Sequence, residues 1–360
     1  MKKVINFKLL EVKIMNRIKT NFLMKMMIFV IFFLSLTNLS FVSVYAQSSY
    51  LSIVTAGATG TYYPVGAALG KVLTDNIPNL YATAEVSGGS IENIRLVSNG
   101  EADIGLATQL AIKLAISGEP PFEEPITNLR ALFPLAGTDY VATGAWQLIV
   151  PKDSPINSVY DLKGKKVAVG PAGSGGETYT KMVLDAHGMS YDDLTPFFYS
   201  YSEAGAAMQD GVIDAEVINS SGVPTAAVLE LAASRKIRLV SIDPAIIQKL
   251  KNEWGFFGRV ISPDEYPEYP WLEDSVTTVA ASSDVIFVNK DADEEMVYKI
   301  VKAAMENKED IWASNPASKN YDEQGVVIGL KTPPLHKGAY KYFKEFGIDV
   351  PEIVIPPELK

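Results

Sequence analysis

The chain has 360 residues, a formal net charge of -10, no cysteine and two histidines. That length allows two domains with cores of their own, and the acidic balance argues against nucleic acid or an anionic membrane as a partner. Without cysteine there is no disulfide, no thiol nucleophile and no lipid anchor carried on a cysteine.

Lys2, Lys3, Lys8, Lys13, Arg17, Lys19 and Lys25 precede a run, Met26 to Leu36, that is apolar except for Ser35. This reads as a signal peptide over residues 1–46, cut after Ala46, so that the mature chain starts at Gln47. The run is short for a membrane span. An uncleaved anchor stays open as an alternative, as does a translation start at Met15 or Met24. A secreted chain without a lipid anchor needs an outer membrane to retain it, so the expected location is the bacterial periplasm.

Leu51 to Val54 is a β-rich run, and Gly57 and Gly60 then let the chain turn before an amphipathic helix that ends at Pro78. Such a strand-to-helix corner offers free backbone N–H groups, and the hydroxyls of Thr59 and Thr61 beside them suit a carboxylate or other anion. The threonines are equally what a plain helix cap requires. Tyr81 to Val86 predicts a second strand leading into Ser87-Gly88-Gly89-Ser90 and another helix. Ala102 to Ala107 predicts a third, ending at Thr108-Gln109. Three strand ends in quick succession, each followed by small residues and a helix, are the habit of an open α/β sheet that binds ligands at the carboxyl ends of its strands.

Leu129 to Ala136 reads as another buried strand, and Trp146 to Val150 opens a second unit. Val167-Ala168-Val169 runs into Gly170 to Gly176, a corner of the same physical form, and Thr178 to His187 reads as a helix. Val212 to Ile218 delivers Asn219-Ser220-Ser221-Gly222 to a strand end. Arg259 to Trp271 is a proline-rich loop, and the β-prone stretch Val276 to Asn289 suits a return to the first domain. The expected division is residues 47–142 for the first part of lobe 1, 143–275 for lobe 2, and 276–360 to complete lobe 1.

Catalysis has little to work with. His187 and His336 each lie near a helix end without a partner at metal-ligand spacing. Gly173-Ser174-Gly175-Gly176 misses the Gly-x-Ser-x-Gly elbow, and no phosphate loop or dinucleotide fingerprint is present. The expectation is a non-enzyme with no metal and no cofactor. What remains is neutral polarity at strand ends in both units, fit to hold and release a small acid. Tyr62, Tyr63, Tyr199, Tyr201 and Trp254 are candidates either for ligand contact or for packing.

Several segments together resemble the TAXI family of solute receptors, the binding subunits of tripartite ATP-independent periplasmic (TRAP) transporters. They include Thr55 to Pro64, Ser87 to Leu96, Gly100 to Gly105, Leu162 to Val167, Val169 to Gly175, Asp210 to Ala215 and Pro334 to Ala339. The resemblance implies a two-lobed, type II-like periplasmic binding protein fold of α/β class, with a cleft between lobes joined by hinge strands. It implies capture of a small carboxylate or amino acid, glutamate- or glutamine-like or a 2-oxo acid, and delivery to TRAP small and large integral-membrane subunits for ion-gradient-driven uptake. The ligand-binding residues it implies are Thr59, Gly60, Thr61, Tyr62, Tyr63, Ser87, Ser90, Asn93 and Gln109 from one lobe, and Ser174, Gly175, Glu177, Asn219 and Ser220 from the other. An ABC-type receptor for another small anion, such as a sulfonate, and a ligand-binding sensory module are the competing readings.

Overall fold

A computed structural model describes residues 13, 15–29, 48–135, 144–220, 223–266, 271–280, 284–314, 327 and 329–360. The chain separates into two units, residues 1–47 and 48–360. In the first, residues 15–29 are helical and exposed. Among the described residues no helix is long and apolar enough to cross a membrane. The expected cut after Ala46 lies outside the described residues.

The second unit holds two five-stranded sheets of the same strand order. The first is built from β1 (Ser49–Val54), β2 (Leu80–Glu85), β3 (Ile104–Thr108) and β4 (Leu129–Pro134), ordered β2-β1-β3, then a late returning strand, then β4. β1 runs parallel to both β2 and β3. The connections are helical: α1 (Tyr62–Asn76), α2 (Ser90–Asn99) and α3 (Gln109–Ser117). Helix α1 buries Val65, Leu69, Val72 and Leu73, and lies so close to the sheet that two of its positions take only glycine. A Cβ on Gly66 would stand 2.4 Å from Thr55 Cγ2, and one on Gly70 would stand 2.8 Å from the Ala82 carbonyl oxygen.

The second sheet comprises β5 (Ala145–Pro151), β6 (Lys166–Ala168), β7 (Thr195–Phe197), β8 (Ala215–Ser220) and β9 (Ile237–Val240), in the order β7-β6-β8-β5-β9. Here β5 is the antiparallel strand between β8 and β9. Helices α4 (Gly175–Ala186), α5 (Tyr201–Gln209), α6 (Ala226–Ser234) and α7 (Pro244–Trp254) belong to this lobe. An antiparallel ribbon of β10 (Phe257–Ile261) and β11 (Val276–Ala280) docks on it: Ile242 N–H donates to the Thr277 carbonyl at 2.8 Å, and the Thr278 hydroxyl donates to that of Trp146.

The β-prone stretch Val276 to Asn289 is therefore two strands in different sheets. β11 stays with the ribbon, while β12 (Asp284–Asn289) inserts antiparallel between β3 and β4 as the returning strand of the first sheet. The chain thus crosses between the sheets after Leu135 and again after Ala280. Helices α8 (Glu294–Glu306), α9 (Lys308–Trp312) and α10 (Lys337–Glu345) complete the first lobe. Its last segment is tied to β4, where Ala131 N–H donates to the Pro334 carbonyl and His336 N–H to that of Ala131, both at 2.8 Å. The fold is thus a two-lobed α/β architecture of the periplasmic-binding-protein kind.

Candidate functional site

The carboxyl ends of the parallel strands in both sheets face one cavity of about 50 Å3. The first lobe lines it with Ala56, Gly60, Thr61, Tyr62, Gly89, Ser90 and Thr108, the second with Ser174, Gly175, Gly176, Tyr201 and Asn219. None of these side chains is charged. Five helices begin at the cavity: Tyr62 opens α1, Ser90 opens α2, Thr108 is the N-cap of α3, Gly175 opens α4 and Tyr201 opens α5. The first-turn N–H groups and the positive ends of five helix dipoles therefore converge on one small volume, an arrangement that favours an anion.

The hydroxyls differ in how they are committed. Thr61 is the N-cap of α1 yet makes no capping bond with its side chain, so helix formation does not spend its hydroxyl. Ser174 caps α4, its oxygen accepting from Glu177 N–H at 3.0 Å, which leaves its proton free to donate. Ser90 Oγ accepts from Thr108 N–H at 3.1 Å and lies 3.5 Å from the Tyr62 hydroxyl. Tyr201 donates to the Asn219 carbonyl at 2.7 Å and accepts from Asn219 N–H at 3.2 Å, fixing the end of β8 against α5. Burial pushes both tyrosine hydroxyls up, Tyr62 well above its ordinary range, and the buried Asp284 carboxylate adds to both. Both rings stay neutral hydrogen-bonding groups.

The lobes touch around this volume. Ile91 N–H donates to the Gly173 carbonyl at 3.3 Å, and a Cβ built on Gly175 would meet Ser90 Oγ at 2.8 Å.

Of the residues expected from sequence, Gly60, Thr61, Tyr62, Ser90, Ser174, Gly175 and Asn219 line the cavity. Thr59, Tyr63, Ser87, Asn93, Gln109, Glu177 and Ser220 are not part of that lining, and several have other work. Asn93 donates to the carbonyls of Thr55 at 2.6 Å and Leu106 at 2.7 Å, while the Ser87 hydroxyl donates to Asn93 Oδ1, also at 2.6 Å. These two residues lace the ends of β1 and β3 together. Gln109 reaches 220 residues along the chain, donating to the Gly329 carbonyl at 3.1 Å and accepting from Lys331 N–H at 2.8 Å. Glu177 pairs with Lys181 at 2.7 Å and accepts from the Tyr191 hydroxyl at 2.9 Å. Ser220 accepts from Gln147 at 3.3 Å.

Ala56, Gly89, Thr108 and Gly176 escaped the expected binding set, and Tyr201 was left between contact and packing. The signal for Tyr201 was present in Ser200-Tyr201-Ser202-Glu203, a capping box in which Ser200 and Glu203 satisfy each other's backbone. The histidines are structural: His187 Nδ1 sits 2.6 Å from the Val183 carbonyl, and His336 Nδ1 accepts from Gly338 N–H at 3.2 Å as the cap of α10. Among the described residues no group of His, Cys, Asp or Glu could hold a metal ion.

Two lobes of repeated topology around a cavity built from strand ends define the class of bilobal binding proteins. The chain belongs to the NMT1-like family, whose model matches residues 53–347. An Escherichia coli (strain K12) protein named as aliphatic sulfonates-binding is 36% identical over 90 residues, 23% of this chain and 28% of that protein. The match thus spans under a third of that curated relative. Among solved structures, the periplasmic aliphatic sulphonate binding protein SsuA of E. coli is 16% identical, with 85% of this chain and 95% of that one covered at a TM-score of 0.41. The alkanesulfonate-binding protein SsuA of Xanthomonas axonopodis pv. citri, bound to MOPS, is also 16% identical, with 86% and 97% covered at a TM-score of 0.46.

These findings correct the assignment drawn from the motifs. The family is NMT1-like and the relatives named here are sulfonate-binding proteins, so the reading as a TAXI receptor falls. With it go the glutamate- or glutamine-like and 2-oxo acid ligands and the TRAP small and large membrane subunits as partners. The motifs misled because glycine corners and helix starts recur wherever this fold builds a strand-end site, whatever transporter stands behind it.

Proposed function

We propose that the chain is a periplasmic solute-binding protein of the ABC type, which captures a small oxyanion of the sulfonate class between its lobes and hands it to ABC membrane and ATPase components. The observation that supports this reading is the convergence of five helix N-termini, from both lobes, on a cavity with no charged side chain in its lining. Neutral donors hold an anion through N–H and O–H groups and release it when the lobes part. The protein is not catalytic: its cavity offers hydroxyls and amides, with no side chain poised as a base beside a nucleophile. The seven expected residues that line the cavity, joined by Thr108 and Tyr201, form its ligand contacts, and the lobes are residues 48–135 with 284–360, and 144–280.

The test is mass spectrometry of the small molecule released by acid from the purified mature protein, with thermal-shift titration against alkanesulfonates, phosphonates, sulfate and nitrate. A ligand that binds only the folded state raises the melting temperature with concentration. Stabilisation by sulfonates supports the reading; indifference to every anion refutes it.

A further inference from the structure

Five helix ends account for an anion, and one buried group beside the cavity opposes it. Asp284 opens β12, is 8% exposed, and pairs directly across from Thr108, a cavity residue. Residues directly opposite one another on an antiparallel pair share a face of the sheet, so the carboxylate belongs to the same floor as Thr108. Its charge reaches the hydroxyls of both cavity tyrosines, Tyr62 from the first lobe and Tyr201 from the second.

A carboxylate held in a low-dielectric floor repels an anion a few ångströms away. The repulsion turns to attraction for a ligand that brings its own positive charge or hydrogen-bond donor to that side. We propose that Asp284 is a specificity-determining residue of this cavity: it selects acids that carry an ammonium group a few atoms from the anionic head over plain anions of the same size. The proposal deepens the anion-binding reading above and rests on it. The helix ends supply affinity for the head, common to all such acids, and Asp284 supplies the difference between them.

Isothermal calorimetry on the purified mature chain tests this with matched probes at one pH: 2-aminoethanesulfonate, 2-hydroxyethanesulfonate and ethanesulfonate, and the corresponding amino and plain phosphonates. The wild type is expected to bind the amino acid analogue of each head at least about tenfold more tightly than the plain one, with the hydroxyl compound between them. In Asp284→Asn that ratio falls to near one, because the amino ligand weakens while the plain anion holds or tightens. Equal binding of amino and plain probes by the wild type overturns the proposal without any variant, and so does a ratio that survives Asp284→Asn. A wild type that binds none of these acids refutes the anion-binding reading itself, and this inference with it.

Discussion

Gly175→Ala tests whether the cavity closes by corner-to-corner contact. Gly175 opens α4 in the second lobe, and the three atoms nearest a Cβ built there all belong to the first: Ser90 Oγ at 2.8 Å, Thr108 Cγ2 at 3.0 Å and Ser90 Cβ at 3.4 Å. The first of these lies closer than real Cβ contacts allow, and Ser90 cannot swing away cheaply because its oxygen holds Thr108 N–H at 3.1 Å. A single added methyl therefore acts across the lobe interface and leaves the interior of either lobe intact. Overpacking of this kind costs about 1–3 kcal/mol, here charged only to the closed form, which weakens ligand binding by roughly 5- to 150-fold. Calorimetry with the acid that most stabilises the wild type measures the loss. Small-angle scattering with and without that acid measures closure, and the ligand-free melting temperature should stay within a degree or two of wild type. A variant that binds and contracts like wild type would refute the corner-to-corner seam; one that merely melts early would show that Gly175 serves its own lobe.

Thr61→Ala and Ser174→Ala separate ligand contact from capping. Both should weaken anion binding by about 1.5–3 kcal/mol per lost charged hydrogen bond, but only Ser174→Ala should also cost about 1 kcal/mol of stability in denaturant unfolding, since Ser174 caps α4 and Thr61 caps nothing with its side chain. Gln109→Ala should do the reverse, lowering stability by about 1–3 kcal/mol by orphaning Lys331 N–H and the Gly329 carbonyl, while calorimetry finds ligand affinity unchanged. Glu216 carries a fully buried carboxyl whose oxygens have no partner, and burial pushes it up to about 8 from 4.5. Because the folded state holds this proton more tightly than the unfolded chain, Glu216 is neutral and harmless below about pH 4.5, and stability declines as pH rises from there toward 8. Melting curves should show Glu216→Gln gaining on wild type across that window; a constant gap between the two would refute the assignment.

The parts of the site that were legible in the sequence are those whose signal is local. A β-rich run, glycine and a hydroxyl residue ahead of an amphipathic stretch mark a strand-to-helix corner, and Thr61, Ser90 and Ser174 stand at three such corners that the fold brings together. The expected residues that miss the cavity lost to demands that arise only in three dimensions. Asn93 and Gln109 are buried amides, and a buried amide must satisfy its donors and acceptor wherever it lies. Asn93 spends its amide on carbonyls of adjoining strands, and Gln109 on a segment 220 residues away, a distance no local pattern encodes. Glu177 bonds Lys181 one helical turn on, a pairing visible as i,i+4 spacing and a reason to have set it aside. Asp284 is the opposite case. It sits in a β-prone stretch that reads as a single strand and gives no local hint of a ligand, yet the switch from ribbon to sheet at that point sets its carboxylate across from Thr108. Helix starts can be read one at a time and give the charge of the ligand's head. The group that discriminates among ligands lies where the chain crosses between lobes, and only the paired strands bring it to the cavity.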